Sequence, residues 1–374
     1  MNFCRTVVLV TLSLLAAQAW SKDAPPPLPG TAALIERLGL EASPWAVRDR
    51  AGWAPPKVVA VREPGSLTVG GMPLLEAVRA VAGDAEVVVY GRGSMDALAR
   101  ADVVLGSCTP EVVAATPGLR WLHSFSVGVE RCTLADGLAH ENFILTNNQR
   151  GTGPDIAEHT IAMMLALTRN LEYYVLEQHA GRWARGDRPA INVNGKTLLV
   201  LGLGGIGTEI ARRAHGLGMR VIATRNSSRE GPDFVDYVGL ADEAVSLAAQ
   251  AQVVANALPL TEETRGLVDA EFLAAMPDGA YYLNVGRGGT TDTQALVDAL
   301  ASGRLAGVGL DVTDPEPLPA EHPLRTMENV LITPHISAQT DESRERTLTI
   351  GVENLRRYVA GEPLLSVVEF ERGY

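Results

Sequence analysis

The stretch Gly202-Leu203-Gly204-Gly205-Ile206-Gly207 joins the apolar run 197–201 to a helix-like segment that ends at Gly218. A second apolar run, 220–224, follows at the distance that a strand–helix–strand unit requires. Glycines in this order allow a tight turn and leave the first amides of the helix free to bind phosphate groups. Glycine makes up 37 of the 374 residues, so the pattern carries weight only because a strand and a helix flank it. The context predicts a doubly wound α/β domain that binds a dinucleotide through the four glycines and Ile206; the alternative is a glycine-rich turn without a ligand.

Three charged residues follow the glycine loop in the order arginine, glutamate, histidine. Arg287 lies in NVGRGG, Glu316 in DVTDPEPLP and His335 in TPHIS. Together with the loop, these motifs resemble the family of D-isomer-specific 2-hydroxyacid dehydrogenases, whose signatures the chain matches from about Val127 to about Ala338. The resemblance implies an oxidoreductase that transfers a hydride between NAD(P)H and a small 2-keto acid or D-2-hydroxy acid, such as glyoxylate or hydroxypyruvate.

The charged residues suit the three tasks of such an enzyme. A guanidinium at Arg287, just past a predicted strand end, can hold a carboxylate through two parallel hydrogen bonds, although a surface arginine beside a turn is the alternative. His335 can give a proton to the substrate oxygen, and the charge of Glu316 favours the protonated imidazole. Formate dehydrogenases of the same fold resemble this chain except for a glutamine in place of Glu316, so the glutamate favours hydroxy acids.

Further site residues are implied by the resemblance. Backbone amides at Val127 and Gly128 would bind the substrate carboxylate opposite Arg287, although a plain turn glycine is the alternative. Asp311 would touch the nicotinamide amide, with a turn or helix cap as its alternative. Thr264 would lie near the pyrophosphate, and Val285 would also contact the cofactor.

One departure from the family pattern concerns the choice of cofactor. Where NAD-selective members place an acidic residue at the end of the second strand, this chain has Arg225-Asn226-Ser227-Ser228-Arg229. Guanidinium and hydroxyl groups suit a 2′-phosphate, so Arg225 and Ser227 predict NADP in preference to NAD. The alternative is a solvated basic turn.

The apolar runs predict two sheets. Runs such as Lys57 to Val61 and Ala85 to Tyr90 predict a small parallel sheet of flavodoxin type. Runs from Gln252 to Ala257 onward continue the doubly wound pattern, with helices predicted at Thr261 to Met276 and Thr291 to Ser302.

The expected fold is therefore α/β with two doubly wound parallel-sheet domains. A Rossmann dinucleotide-binding domain, residues 151–335, is inserted in a flavodoxin-like substrate-binding domain made of residues 31–150 and 336–374. A helix predicted from Pro154 to Asn170 leads from the first domain into the second, as in the family.

The N-terminus has the order of a secretory signal. Arg5 precedes an apolar stretch and the small-residue site at Ala19, which predicts a signal peptide over residues 1–19, followed by a Pro-rich linker over 20–30. The stretch is too short to span a bilayer, and a buried N-terminal strand or helix is the alternative. We expect a periplasmic or secreted protein; because soluble NADP is chiefly cytoplasmic, a cytoplasmic location is the alternative.

Composition limits the partners. The formal net charge of −12 opposes binding to nucleic acid and to anionic membranes, no metal site is expected, and we expect a homodimer. After signal removal Cys108 and Cys132 remain, and two separate buried thiols are favoured over a disulfide. Trp53, Trp121 and Trp183 are candidates to line the substrate pocket or to lie in the core. The competing function is a nucleotide-sensing interaction protein without catalysis.

Overall fold

The computed structural model describes residues 25–369 except for residues 92, 130–131, 133–142 and 187. The signal peptide predicted at residues 1–19 lies outside the described residues. Within the described ranges, no helix combines the length and the apolar character needed to cross a membrane.

Five parallel strands, each flanked by loops and helices, form the first sheet. In spatial order they are β4, β1, β5, β6 and β7, which is the 2-1-3-4-5 order of flavodoxin when the five are counted along the chain. Central strands of such a sheet are covered on both faces, which explains their uninterrupted apolar character. A short antiparallel hairpin, β2–β3, lies outside this sheet. The strands are β1 (Val58–Arg62), β2 (Thr68–Val69), β3 (Met72–Pro73), β4 (Glu86–Tyr90), β5 (Val103–Gly106), β6 (Trp121–Ser124) and β7 (Ile144–Thr146).

Seven parallel strands form the second sheet, in the order β10-β9-β8-β11-β12-β13-β14. Counted along the chain this is 3-2-1-4-5-6-7, the dinucleotide-binding order extended by one strand. The order reverses between β8 and β11, and ligands of such sheets bind at the carboxyl ends beside that reversal. The two orders confirm the predicted fold class. The strands are β8 (Thr197–Leu201), β9 (Arg220–Thr224), β10 (Tyr237–Gly239), β11 (Val253–Asn256), β12 (Ala280–Asn284), β13 (Leu305–Leu310) and β14 (Val330–Ile332).

The α-helices other than α5, which has no buried residue, pack around the two sheets. The described ones are α1 (Thr31–Leu38), α2 (Leu74–Val81), α3 (Pro110–Ala114), α4 (Gly153–Thr168), α5 (Leu171–His179), α6 (Gly205–Gly216), α7 (Ala244–Ala248), α8 (Ala270–Ala275), α9 (Thr293–Ala301) and α10 (Asp341–Ala360). Helix α10 buries Leu348, Val352, Leu355 and Tyr358 in the core of the first sheet. The chain therefore leaves the first sheet through α4 and returns to it through α10. The predicted domain boundaries at 150/151 and 335/336 lie at these two passages and stay a prediction.

The prediction of a helix from Thr261 to Met276 is wrong for the first half of that range. Residues 262–266 form a turn in which the hydroxyl of Thr264 donates to the carbonyl of Pro259 at 2.6 Å and accepts from the backbone N–H of Thr261 at 2.8 Å. Threonine hydroxyls compete with helical bonding in this way. The helix begins only where the Asp269 carboxylate caps the N–H of Phe272 at 2.9 Å.

Helix α5 was not predicted. None of its residues is buried, so it lacks the apolar face whose periodicity would reveal a helix in the sequence.

A disulfide joins Cys108 to Cys132, with their Cα atoms 5.2 Å apart. That separation is typical of disulfides, and the structure corrects the expectation of two separate thiols. Sequence could not give the distance between residues 24 positions apart. The link ties the segment after β5 to the segment after β6.

Replacing both cysteines by serine should lower the free energy of unfolding by about 3 kcal/mol, because the unfolded chain regains the entropy of a loop of this length. Denaturant titration with and without reductant measures the change. Reductant should destabilise the wild type and leave the double variant unaffected; equal stability in all four conditions would show that the cysteines are not linked.

Candidate active site

The glycine loop forms an open cradle at the carboxyl end of β8. Gly202 has φ +88°, in the left-handed region, and a side chain at Gly207 would overlap the carbonyl oxygen of Gly202. Around the Cβ position of Gly204, in contrast, there is no atom within 4 Å. The loop thus packs tightly against its own strand and helix while leaving space above Gly204, the residue that precedes α6. A pyrophosphate fits this cradle, since anions are stabilised at a helix N-terminus.

The end of β9 is bonded to the glycine loop. The carbonyl of Thr224 accepts from the N–H of Leu203 at 2.8 Å, and its hydroxyl accepts from the N–H of Gly202 at 3.3 Å. Arg225 follows directly, and its guanidinium donates to the carbonyl of Glu230 at 3.2 Å. The residue predicted to choose between cofactors therefore lies next to the cradle.

The second arginine of this turn has a different environment. Arg229 is ion-paired with Glu243 at 2.6 Å and donates to the Tyr237 hydroxyl at 2.9 Å. The hydrogen bond to Glu243 raises the pKa of Arg229. The two arginines of this turn therefore differ. The guanidinium of Arg225 is bonded to a neutral carbonyl group, whereas that of Arg229 is bonded to a carboxylate. Ser227, in the same turn, is exposed.

The Arg287 turn follows β12 and touches the loop that carries Glu316. The backbone carbonyl of Arg287 accepts from Thr290 Oγ1 at 2.6 Å, and its guanidinium donates to the carbonyl of Gly286 at 2.8 Å. A side chain at Gly288 would overlap the carbonyl of Thr313. Val285 is buried, and its N–H donates to the carbonyl of Asn256 at 3.0 Å. The turn is therefore fixed on both sides.

Sequence reasoning missed a buried polar network beneath this turn. Asn256 Nδ2 donates to the Tyr282 hydroxyl at 2.9 Å and to Thr290 Oγ1 at 2.8 Å, and Tyr282 bonds Thr291 at 2.6 Å. Burial raises the pKa of Tyr282 to about 12, so the phenol stays neutral. Asparagines that end two neighbouring apolar strands, Asn256 and Asn284, were the available signal for this network.

Glu316 and His335 form a hydrogen-bonded pair. Nδ1 of His335 and Oε1 of Glu316 are 2.8 Å apart, and both side chains are less than half exposed. Because Nδ1 is bonded to the carboxylate, Nε2 is the ring nitrogen left to exchange a proton with a ligand. His335 has φ +55°, an unusual conformation for a non-glycine residue.

The carboxylate of Asp311 fixes that unusual backbone. It accepts from Thr333 Oγ1 at 2.6 Å and from the N–H groups of Ile336 at 2.9 Å and Ser337 at 3.0 Å. The N–H of His335 donates to the backbone carbonyl of Asp311 at 2.9 Å. Burial by itself would raise the pKa of Asp311, but these bonds outweigh burial and the pKa lies below its ordinary value. The carboxylate of Asp311 therefore positions the His335 turn, and its contact with the nicotinamide amide stays a prediction.

His159 belongs to the same group, although no partner was predicted for it. Its Nε2 lies 2.9 Å from Thr333 Oγ1 and 3.9 Å from the Asp311 carboxylate. Helix α4 therefore contacts the His335 turn directly.

A single hinge segment, residues 147–153, touches both the predicted substrate loop and the glycine loop. Asn147 Nδ2 donates to the carbonyl of Val127 at 2.7 Å, and the N–H of Asn148 donates to the carbonyl of Ser126 at 3.3 Å. At its other end, a side chain on Gly153 would lie 3.1 Å from the carbonyl of Gly205. Ser126 and Val127 are therefore linked to the cofactor cradle through this segment.

Three residues singled out in the sequence bond or pack within the fold. The hydroxyl of Thr264 is used within its own turn, as described above, and its place near the pyrophosphate stays a prediction. Trp121 is fully buried and stacked on Tyr358, and Trp53 donates to the carbonyl of Tyr358 at 3.2 Å, so both belong to the first core. Among the described residues, no group of histidine, cysteine and acidic side chains could hold a metal ion.

The chain is similar to known proteins over most of its length. The profile described as "D-isomer specific 2-hydroxyacid dehydrogenase, NAD binding domain" matches residues 161–337. The hydroxypyruvate reductase of Blautia hydrogenotrophica is 34% identical over 299 residues, 75% of this chain and 91% of that protein. The glyoxylate reductase of Thermofilum pendens is 32% identical over 257 residues, 67% of this chain and 75% of that protein.

A solved structure extends the likeness over most of the chain. The D-isomer specific 2-hydroxyacid dehydrogenase of Xanthobacter autotrophicus Py2, in complex with NADPH and MES, is 29% identical with a TM-score of 0.72, covering 86% of this chain and 100% of that one. Fold, motifs and relatives lead to one conclusion: the chain belongs to the family of D-isomer-specific 2-hydroxyacid dehydrogenases and is an NAD(P)-dependent enzyme.

Proposed function

We propose that the enzyme reduces small 2-keto acids such as glyoxylate or hydroxypyruvate to the D-2-hydroxy acids, with NADPH as the preferred reductant. The observation that carries the proposal is the Glu316–His335 pair, 2.8 Å apart, in which Glu316 belongs to the loop that touches the Arg287 turn. An acid/base pair beside a carboxylate-binding arginine is what reduction of a keto acid requires. A protein that only senses nucleotides has no use for this pair.

The residues divide the reaction between them. The nicotinamide cofactor, when bound, supplies the hydride that reaches C2 of the substrate. Arg287 binds the substrate carboxylate through two parallel hydrogen bonds, and the amides of Val127 and Gly128 bind it from the other side. Nε2 of His335 gives its proton to the C2 oxygen, and Glu316 stabilises the imidazolium before transfer. In oxidation the neutral imidazole takes the proton back.

Preference for NADP rests on Arg225. Its guanidinium lies at the end of β9 and is bonded to a neutral carbonyl group, and among the described residues it has no ion pair that would compete with a 2′-phosphate. Arg229 contributes less because Glu243 neutralises it. Ser227 adds a hydroxyl from the same turn.

A homodimer is part of the proposal. Helix α5 exposes Leu171, Val175 and Leu176, and Trp183 just beyond it is 95% exposed. A projecting apolar surface of this kind marks a protein interface. We propose that a second copy of the chain covers it.

Export is our proposal for residues 1–19, from the order of Arg5, apolar stretch and Ala19. The disulfide between Cys108 and Cys132 fits an oxidising compartment. A cytoplasmic location, where NADPH is supplied, is the alternative.

The pair Glu316–His335 should govern the rate of reduction. Glu316→Gln keeps the shape of the side chain but removes the charge beside the imidazole, and should lower kcat with a keto acid and NADPH by at least about tenfold. Initial rates from nicotinamide absorbance measure the loss.

Glu321→Gln, a change at an exposed glutamate on the same loop, is the matched control and should keep the wild-type kcat. A wild-type kcat in Glu316→Gln would mean that Glu316 does not act on His335. If the enzyme turns over no keto acid, the proposed function itself is wrong.

Arg225→Asp should shift the ratio of kcat/KM values from NADPH toward NADH by at least about tenfold, about 1.4 kcal/mol, because a carboxylate repels the 2′-phosphate. Arg229→Ala, at the arginine already paired with Glu243, should shift the ratio much less. Equal effects of the two changes would show that the turn acts only through its overall charge.

Asp311→Asn should lower kcat by at least about tenfold while the dissociation constant of the cofactor changes less than about twofold, because an amide NH₂ repels the N–H groups that now fix the His335 turn. The lowered pKa of Asp311 also sets a pH signature. The stability advantage of wild type over the variant should be full at neutral pH and shrink as pH falls below about 4. An advantage independent of pH would contradict an ionised Asp311 as its source.

A further inference from the structure

We propose that Arg150, in the hinge segment, binds the pyrophosphate of the cofactor. Before the cofactor binds, Glu41 is the counter-ion of Arg150. The proposal rests on dinucleotide binding by the glycine loop and adds a cation to that site. Neither the glycine pattern nor the arginine–glutamate–histidine order points to residue 150.

The first observation is the contact between Arg150 and the loop. A side chain at Gly205 would place its Cβ 2.8 Å from Cγ of Arg150 and 3.3 Å from its Cα. Glycine at position 205 is therefore what lets Arg150 lie against the first residue of α6. That residue contributes its N–H to the anion-binding end of the helix.

The second observation is the backbone of Arg150. Its φ is +65°, a left-handed conformation that is unfavourable for a residue with a side chain. The bend is fixed by neighbours: the N–H of Gly151 donates to the carbonyl of Asn148 at 3.0 Å, and Arg346 Nε donates to the carbonyl of Gly151 at 3.1 Å. A costly conformation that the surroundings enforce is a frequent mark of functional sites.

The third observation is that the ion pair between Arg150 and Glu41 is weak. Arg150 Nη2 lies 3.1 Å from Oε1 of Glu41, whose side chain is 83% exposed. An exposed ion pair of this kind contributes little to stability. Rotation about the bonds beyond Cγ can exchange Glu41 for a phosphate oxygen without moving the backbone.

The charges around the cradle make this exchange favourable. Arg212 and Arg213, the arginines of α6, are both paired with Glu209, at 3.5 and 2.6 Å. Residues 202–207 carry no cation of their own. A guanidinium beside the loop supplies charge-assisted hydrogen bonds that backbone amides alone do not provide.

The test compares cofactor binding in four proteins: wild type, Arg150→Gly, Arg150→Gln and Glu41→Gln. Arg150→Gly is the sharpest change because glycine adopts φ +65° freely, so the guanidinium is removed without backbone strain. Titration of nicotinamide fluorescence gives dissociation constants for NADPH and NADH, and thermal melting of the unliganded proteins reports stability.

We expect Arg150→Gly and Arg150→Gln to weaken NADPH and NADH by the same factor, about tenfold or about 1.4 kcal/mol, because both cofactors carry the pyrophosphate. Arg225→Asp, in contrast, changes the ratio between the two. Glu41→Gln should tighten both cofactors about twofold to threefold by removing the competing carboxylate. The melting temperature of Arg150→Gly should equal or exceed that of the wild type.

Dissociation constants of Arg150→Gly within about twofold of wild type would overturn the proposal. Full affinity in Arg150→Gln would do the same, since it would show that size and not charge matters. Failure of the wild type to bind either cofactor would instead contradict the proposed function, so the two failures are distinguishable.

Discussion

The buried ion pair between Asp155 and Arg346 joins the two helices, α4 and α10, through which the chain passes between its sheets. Both side chains are more than nine-tenths buried. Arg346 also binds Glu342 at 2.9 Å and the carbonyl of Gly151, while Asp155 accepts from Thr340 Oγ1 at 2.7 Å. Removing one partner would leave a buried charge uncompensated, which is strongly destabilising. The placement of the substrate loop relative to the cofactor cradle depends on this contact because the hinge segment 147–153 is anchored by it.

Asp311 and Glu316, which both follow β13, have different roles because the surroundings of their carboxylates differ. Asp311 is buried, accepts from two backbone N–H groups and a hydroxyl, and fixes the turn that carries His335. Glu316 is partly exposed and bonded to the imidazole. The first carboxylate acts on geometry and the second on the charge of the histidine. Neither role can be exchanged, because a buried carboxylate without these donors would lose its charge.

Much of the fold and site could be predicted because the signals are local. Apolar runs separated by helices imply parallel sheets, and the glycine loop marks the first crossover of the second sheet. The predicted Arg287, Glu316 and His335 lie in turns that follow recognisable strands. The helix assigned to 261–276 failed for a local reason too, since the Thr261–Thr264 bonding competes with helical hydrogen bonds.

The remaining features depend on residues distant in sequence. Arg229 is ion-paired with Glu243, Cys108 is linked to Cys132, and Arg150 lies against Gly205. Each of these contacts forms only when the chain folds. The carboxylate of Asp311 accepts from the N–H groups of Ile336 and Ser337, which lie 25 and 26 positions further along the chain. Side-chain partners of this kind require the three-dimensional arrangement.

The fate of the hydride is the most direct test of the proposed reaction. The enzyme would be given hydroxypyruvate and NADPH that carries deuterium at both C4 positions, and the product would be analysed by mass spectrometry and chiral chromatography. We expect glycerate of D configuration with one deuterium at C2. Product without deuterium at C2, or of L configuration, would contradict direct hydride transfer to a D-2-hydroxy acid.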